Sequence, residues 1–354
     1  MTLTRAQSAA LTHARTAARS AARRATSRLG GVDAQALTSH VMDRARITLN
    51  FHPDRPRPTD GRTVAEALAV DAVYRSQYET GLSNGGRTAF PGGARDEWER
   101  SLFGGAYHAD GVRPEERPKY GALNLLGHAD GAAPRFGSCH VRLRPEVNRR
   151  ATFCHGDSHL GPEDVGTADA FWCVLAALVE DGTDVRGVPS GTHGRIHGRI
   201  LDGYVEAQVH GPVVLTRDAE AIVLDPSFRG TPAARLLAST GVPIEWHPGF
   251  VLAPHEVDAE FRGPVMLPLA ARVVRAYSAD GLLRAETLGH AAASVVREPR
   301  AWAEFGSGDE VLQYVKQLWH VLARFGRPDV RAETGADGLA DEGAEDRAGI
   351  SRPV

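Results

Sequence analysis

The chain has 354 residues, 42% hydrophobic and 24% charged, a composition that excludes wholesale disorder. Its 41 lysines and arginines against 44 acidic residues give a formal net charge of -3, so there is no global basic field to drive non-specific binding to nucleic acid or to a membrane surface. No uninterrupted apolar run reaches the roughly 18 residues of a membrane helix, and no membrane partner is expected.

Residues 1–45 read as an N-terminal helical segment, alanine-rich with scattered arginines and broken at Gly30-Gly31. The segment lacks the apolar core of a secretory signal. The three cysteines, Cys139, Cys154 and Cys173, are odd in number, show no metal-site spacing and fit a reducing compartment as inert core residues. A cytoplasmic protein is therefore expected, with export by a route that needs no signal peptide as the alternative.

At Arg46 the period changes. Arg46 to His52 alternates polar and apolar side chains, as a half-buried strand does, and stops at Pro53, where a ladder would lose a donor. Thr63 to Tyr78 predicts a short helix, and Gly81 to Gly86 a glycine-rich loop. Short strands follow over Tyr120–Leu126, Phe136–Leu143, Ala151–His155, Gly203–Val209 and Ala221–Leu224, with one helix, Ala168–Glu180, among them. The stretch Gly182–Gly198 carries five glycines and predicts a mobile loop. Helices return over Thr231–Ser239, around Ala270–Tyr277 and over Asp309–Phe325, where Val311, Tyr314, Val315, Leu318, Val321 and Leu322 share one face. Residues 330–354 are acidic, glycine-rich and poor in large apolar groups, and predict a disordered tail. The elements do not alternate as β-α-β-α, which argues against a doubly wound nucleotide fold. The expectation is one α+β domain over residues 46–329, with a central, largely antiparallel sheet flanked by N- and C-terminal helices.

Four clusters are denser in reactive side chains than a core requires. Asn50-Phe51-His52-Pro53-Asp54-Arg55 places a histidine at a strand end before a stiff proline. Ser83, Asn84 and Gly85 sit in a loop whose backbone N–H groups suit a phosphate or a carboxamide, although the spacing is neither a P-loop nor the dinucleotide fingerprint. In Tyr204 to His210, strand alternation puts Tyr204, Glu206, Gln208 and His210 on one face and Val205, Ala207 and Val209 on the other. In the fourth cluster, His155, Asp157 and His159 form a zinc- or manganese-type ligand set if the backbone is extended, against which the Gly156 break counts.

The segments RITLNFHPDR, YRSQYETGLSNGG, ERPKYGALNLLG, RFGSCHVRLRPEVNRRATFCHGDSH and GYVEAQVHGP, taken in order over about residues 40–235, resemble a bacterial family catalogued as domain of unknown function 3626. More distantly, their order resembles the ADP-ribosyltransferase superfamily. Those enzymes carry Arg or His on the first core strand, Tyr or Ser-Thr-Ser in the middle and Glu on a late strand. His52 matches the first position, Tyr120 in KYGALNL the middle of a tyrosine-type enzyme and Glu206 the last, whereas Ser83-Asn84-Gly85 departs from Ser-Thr-Ser.

The resemblance implies a split, mostly antiparallel sheet, NAD as substrate and no metal. It implies cleavage of the nicotinamide–ribose bond and transfer of ADP-ribose to a protein, a nucleic acid, a small molecule or water. Glu206 would stabilise the oxocarbenium-like ribose. His52 would position the adenosine ribose, Tyr120 would stack on nicotinamide, and Gln208 would steer the acceptor. Asn50, Arg55, Ser83, Asn84 and Gly85 complete the expected NAD-binding set. Two other classes stay open. One is a metal-dependent hydrolase or phosphodiesterase built on His155, Asp157 and His159. The other is a non-catalytic nucleotide-binding module.

Overall fold

The computed structural model describes residues 2–81, 89–187 and 199–329. The N-terminal segment forms α1 (Arg5–Arg28) and α2 (Ala34–Arg44). Thr4 and Gln7 cap α1 reciprocally, and Asp33 caps α2 through the backbone N–H groups of Gln35 and Ala36. Between them, Gly30 and Gly31 take positive φ angles of 59° and 84°, open to glycine at no steric cost.

Ten strands follow among the described residues: β1 (Arg46–Phe51), β2 (Val73–Tyr74), β3 (Lys119–Asn124), β4 (Cys139–Leu143), β5 (Ala151–His155), β6 (Val165–Thr167), β7 (Val205–Val209), β8 (Val213–Val214), β9 (Ala219–Leu224) and β10 (Ile244–Trp246). Eight of them build one sheet in the order β10-β9-β4-β1-β3-β7-β5-β6, while β2 and β8 make a separate two-stranded ribbon. Among the strands of the described residues, only the β9–β10 pair in the large sheet is parallel. The remaining helices are α3 (Val64–Asp71), α4 (Gln77–Thr80), α5 (Ala94–Leu102), α6 (Trp172–Glu180), α7 (Leu215–Asp218), α8 (Pro232–Ala238), α9 (Met266–Tyr277), α10 (Ala285–Arg297) and α11 (Gly308–Phe325). The chain is thus α+β, with a large, mostly antiparallel sheet and flanking helices.

Register sorts the sheet into two chemically different faces. Ile47, Leu49 and Phe51 of β1, Val141 of β4, Phe153 of β5 and Val205, Ala207 and Val209 of β7 join one continuous apolar core. That core includes Val41 of α2, Val174 and Leu175 of α6, and residues of α9, α10 and α11. On the opposite face, Thr48 pairs with Ala122, and Ala122 with Glu206, so Thr48, Ala122 and Glu206 form a row across β1, β3 and β7. Tyr120 and Gln208 form the next row. This face is polar yet buried, so its hydrogen bonds must be met within the protein.

Three local expectations change. The helix expected over Thr63–Tyr78 ends at Asp71, because Ala72 adopts the left-handed conformation (φ 51°); Val73 and Tyr74 then pair with β8. Pro134–Phe136 is a 3-10 turn, and the strand expected from Phe136 begins at Cys139. Gly137, between them, lies so close to the Phe51 backbone that a Cβ would overlap it. Helices α5 and α10 are additional. The expected disordered tail and most of the Gly182–Gly198 loop lie outside the described residues.

Candidate functional site

A chain of hydrogen bonds runs along the polar face and ends at Glu206. The Tyr107 hydroxyl lies 2.5 Å from His210 Nδ1, and His210 Nε2 is 3.1 Å from Thr152 Oγ1. Thr152 donates to Gln208 Oε1 (2.6 Å), and Gln208 Nε2 donates to Glu206 Oε1 (2.8 Å). Since Thr152 spends its proton on Gln208, His210 must donate through Nε2 and accept the Tyr107 proton at Nδ1. Burial, helped by Lys119 and Arg150, lowers the His210 pKa to about 3, in keeping with a neutral ring. Ser158 N–H completes the set with a longer bond to Glu206 Oε2 (3.4 Å).

Burial, reinforced by the charge of Asp157, raises the Glu206 pKa to about 7. The Gln208 amide and Arg95 oppose that shift. Glu206 is therefore a buried carboxyl group held in one orientation, whose charge responds to whatever is placed beside it.

Next along the face, Tyr120 connects two further groups. Its hydroxyl donates to Glu99 Oε1 (2.8 Å), and Glu99 Oε2 accepts from Arg117 (2.9 Å), which also pairs with Asp96 (2.7 Å). The Arg95 guanidinium lies 4.3 Å from the centre of the Tyr120 ring and 4.7 Å from that of Trp98. Arg95, Asp96, Trp98 and Glu99 all come from α5. The tertiary structure lays this charged helix over the sheet with Arg95, Asp96 and Glu99 buried.

His52, just beyond the end of β1, and Tyr120 line one cavity together with Arg55, Arg57, Tyr74 and Arg75. Its volume is about 80 Å³. The His52 ring packs edge-on against Trp319 (5.0 Å) and its Nδ1 lies 3.3 Å from Ser138 Oγ. Burial, with Arg55 adding to it, lowers its pKa to about 3. Glu206 does not line this cavity; it sits two strands over and four positions along in register, a backbone separation of roughly 16 Å from strand geometry.

The other expected residues separate by role. Asn50 ties down the segment that covers the face: its amide donates to the Asp130 and Gly137 carbonyls (both 3.2 Å) and accepts from Thr48. Gln208 has both amide atoms engaged and orients Glu206, leaving no free group for an acceptor. Ser83, Asn84 and Gly85 lie outside the described residues. The alternative metal set is not brought together. His155 pairs with Asp181 (2.9 Å) and His159 with Asp157 (2.8 Å), whose other oxygen accepts from Tyr204. Among the described residues no three His, Cys, Asp or Glu side chains converge as a metal site. Glu99, Arg95 and Thr152 were not singled out by sequence, and nothing in ARDEWERSL marks Arg95 or Glu99 apart from its other charged residues.

The model of a family described as "Protein of unknown function (DUF3626)" matches residues 46–189 and 189–325. The chain belongs to this family. The DUF3626 region takes in the whole sheet with His52, Tyr120 and Glu206, and leaves α1 and α2 before it. The "Gene 2 protein" of Mycobacterium phage L5 is 27% identical over 159 residues, which are 42% of this DUF3626 chain and 56% of the phage protein. The chain thus spans little more than half the length of that relative. No helix among the described residues is long and apolar enough to cross a membrane.

Proposed function

We propose that this DUF3626 protein is an ADP-ribosyltransferase-like enzyme that cleaves the nicotinamide–ribose bond of NAD and transfers ADP-ribose to an acceptor, on a split sheet of the kind those enzymes use. The observation that carries the reading is Glu206: a buried carboxyl group, fixed by Gln208 on the sheet face that also carries Tyr120, whose ring lines a cavity with His52.

Cleavage of an N-glycosidic bond to a nicotinamide cation develops positive charge on the ribose while the base leaves neutral. A carboxylate already oriented toward that charge needs no reorganisation during the step, and in a water-poor site its effect is large. The raised Glu206 pKa belongs to the protein without substrate. A cationic nicotinamide ring nearby favours the ionised form and so supplies the charge that the transition state needs. His52, neutral and seated on Trp319, would offer a ribose hydroxyl its remaining ring nitrogen. The part of the Tyr120 ring turned to the cavity would stack on nicotinamide, and Arg55 would face the diphosphate. A cavity of this size holds one ring of NAD, with the rest of the dinucleotide outside it.

The test is incubation of the protein with labelled NAD and cell lysate, reading nicotinamide release and transfer of label. Release that Glu206→Gln abolishes supports the reading. NAD binding without release would leave a nucleotide-binding module, and neither binding nor release would remove NAD altogether.

A further inference from the structure

On the far side of the 52–57 segment lies a second cavity, of about 240 Å³, lined by Asp54, Thr63, Glu66, Phe228, Thr231, Pro232, Ala233, Leu236, Glu286 and His290. Its wall carries three carboxyl groups and one imidazole, that of His290, with no lysine or arginine. Two of the carboxyl groups stand at helix N-termini. Glu66 caps α3 from its first turn, and Glu286 stands in the first turn of α10, each beside the positive end of a helix.

Asp54 is the third. Its Oδ2 is shut off from solvent and has no hydrogen-bond partner among the described residues. The oxygen lies against α10 at Gly289, where any Cβ would overlap it. Burial first, then the nearby charges of Glu286 and Asp225, raise the Asp54 pKa to about 7. A buried acceptor without a donor is costly, and the Glu286 charge beside Asp54 adds a repulsion that a positive group entering the cavity would relieve. Phe228, Pro232, Ala233 and Leu236 make the rest of the wall apolar. That lining suits a hydrocarbon body, whereas a bare metal ion would need convergent ligands, and none converge among the described residues.

We infer that this cavity is a binding site for a small organic cation, an alkylammonium or alkylguanidinium group whose charge pairs with Asp54 and Glu286 and whose carbon chain lies against Phe228, Pro232 and Leu236. The site is independent of the reading of Glu206, and nothing in its test depends on NAD.

The probe is agmatine, titrated calorimetrically into the full chain at pH 8, with n-butylurea as an uncharged analogue, a blocked arginine tripeptide as the side-chain counterpart and magnesium chloride as a competitor. The expected result is saturable one-site binding of agmatine, at least tenfold weaker in Asp54→Asn and severalfold weaker in Glu286→Gln, with no binding of butylurea. Glu286→Gln keeps the test meaningful should Asp54→Asn fail to fold. Tripeptide binding as tight as agmatine would assign the site to a protein side chain, and agmatine binding alone to a free amine; both support an organic-cation site. Absence of saturable agmatine binding, equal binding of butylurea, displacement by magnesium, or wild-type affinity in the folded variants would overturn it.

Discussion

Gln208 and Glu206 stand two residues apart on one strand, and the amide nitrogen of the first donates to the carboxyl of the second at 2.8 Å. Neighbours at this spacing point to the same face but are not obliged to bond. Here the bond forms because Thr152 occupies Gln208 Oε1 and so turns the amide nitrogen toward Glu206. A carboxyl group that sequence alternation only places on a face is thereby given one orientation.

Glu206→Gln keeps the shape and removes the charge. Turnover of NAD is expected to fall by about 10²–10³, the range for losing one preorganised electrostatic contact, with little change in NAD affinity. Melting temperature should hold or rise. Steady-state kinetics beside a thermal melt checks both, and an unfolded variant would make Glu206 a structural residue.

The pH dependence of stability follows from the same group. A folded-state pKa near 7 against an ordinary value of 4.5 means the folded protein holds its proton more tightly. Glu206 therefore stabilises most below about 4.5, and this contribution is lost as pH rises through about 7. His210 acts in the opposite sense: its pKa of about 3 makes its contribution full above 6.5 and lost as pH falls. Melting curves of wild type and Glu206→Gln at pH 5 and 8 should show the variant gaining on wild type at the higher pH. An unchanged difference would contradict the assignment.

Gln208→Leu preserves bulk but frees the Glu206 carboxyl and strands the Thr152 hydroxyl. Destabilisation of about 1–3 kcal/mol is expected from the unpaired buried groups, with a lower kcat and an unchanged KM for NAD. A denaturant melt and a KM-against-kcat comparison distinguish this positioning role from direct contact with substrate, which would raise KM.

Tyr120→Phe retains the ring and removes the donor to Glu99. We expect a loss of about 1–3 kcal/mol in stability, since the acceptor is a buried carboxylate, with NAD turnover within a few fold of wild type. Tyr120→Ala should raise KM markedly. Equal behaviour of the two variants in NAD kinetics would remove stacking as the role of the ring.

Asn50→Ala should act on stability alone. It leaves the carbonyls of Asp130 and Gly137 without their donor, a cost on the order of 1–3 kcal/mol, while kcat/KM per folded molecule stays near wild type. A specific loss of NAD affinity, measured at a temperature where the variant is fully folded, would return Asn50 to the binding set.

Local pattern alone determined much of this protein. The alternation in β1 and β7, the halt at Pro53, the break at Gly30-Gly31 and the apolar face of α11 are each set by neighbours a few residues apart, and periodicity reports such neighbours directly. It also placed Glu206 and Gln208 together, because residues i and i+2 of a strand must share a face. Whether that face meets water or another element was settled only by long-range packing. Asn50 meets carbonyls 80 and 87 residues away, Tyr120 meets a carboxylate on α5, and Thr152 reaches across 56 residues to Gln208. The same limit hid α5, whose charged surface has no solvated-or-buried label until the sheet lies beneath it. It also hid the end of α3, where Val73 and Tyr74 leave the helix to pair with a ribbon strand almost 140 residues on. Contacts at such separations depend on where the whole chain has folded, and no local window of sequence contains that information.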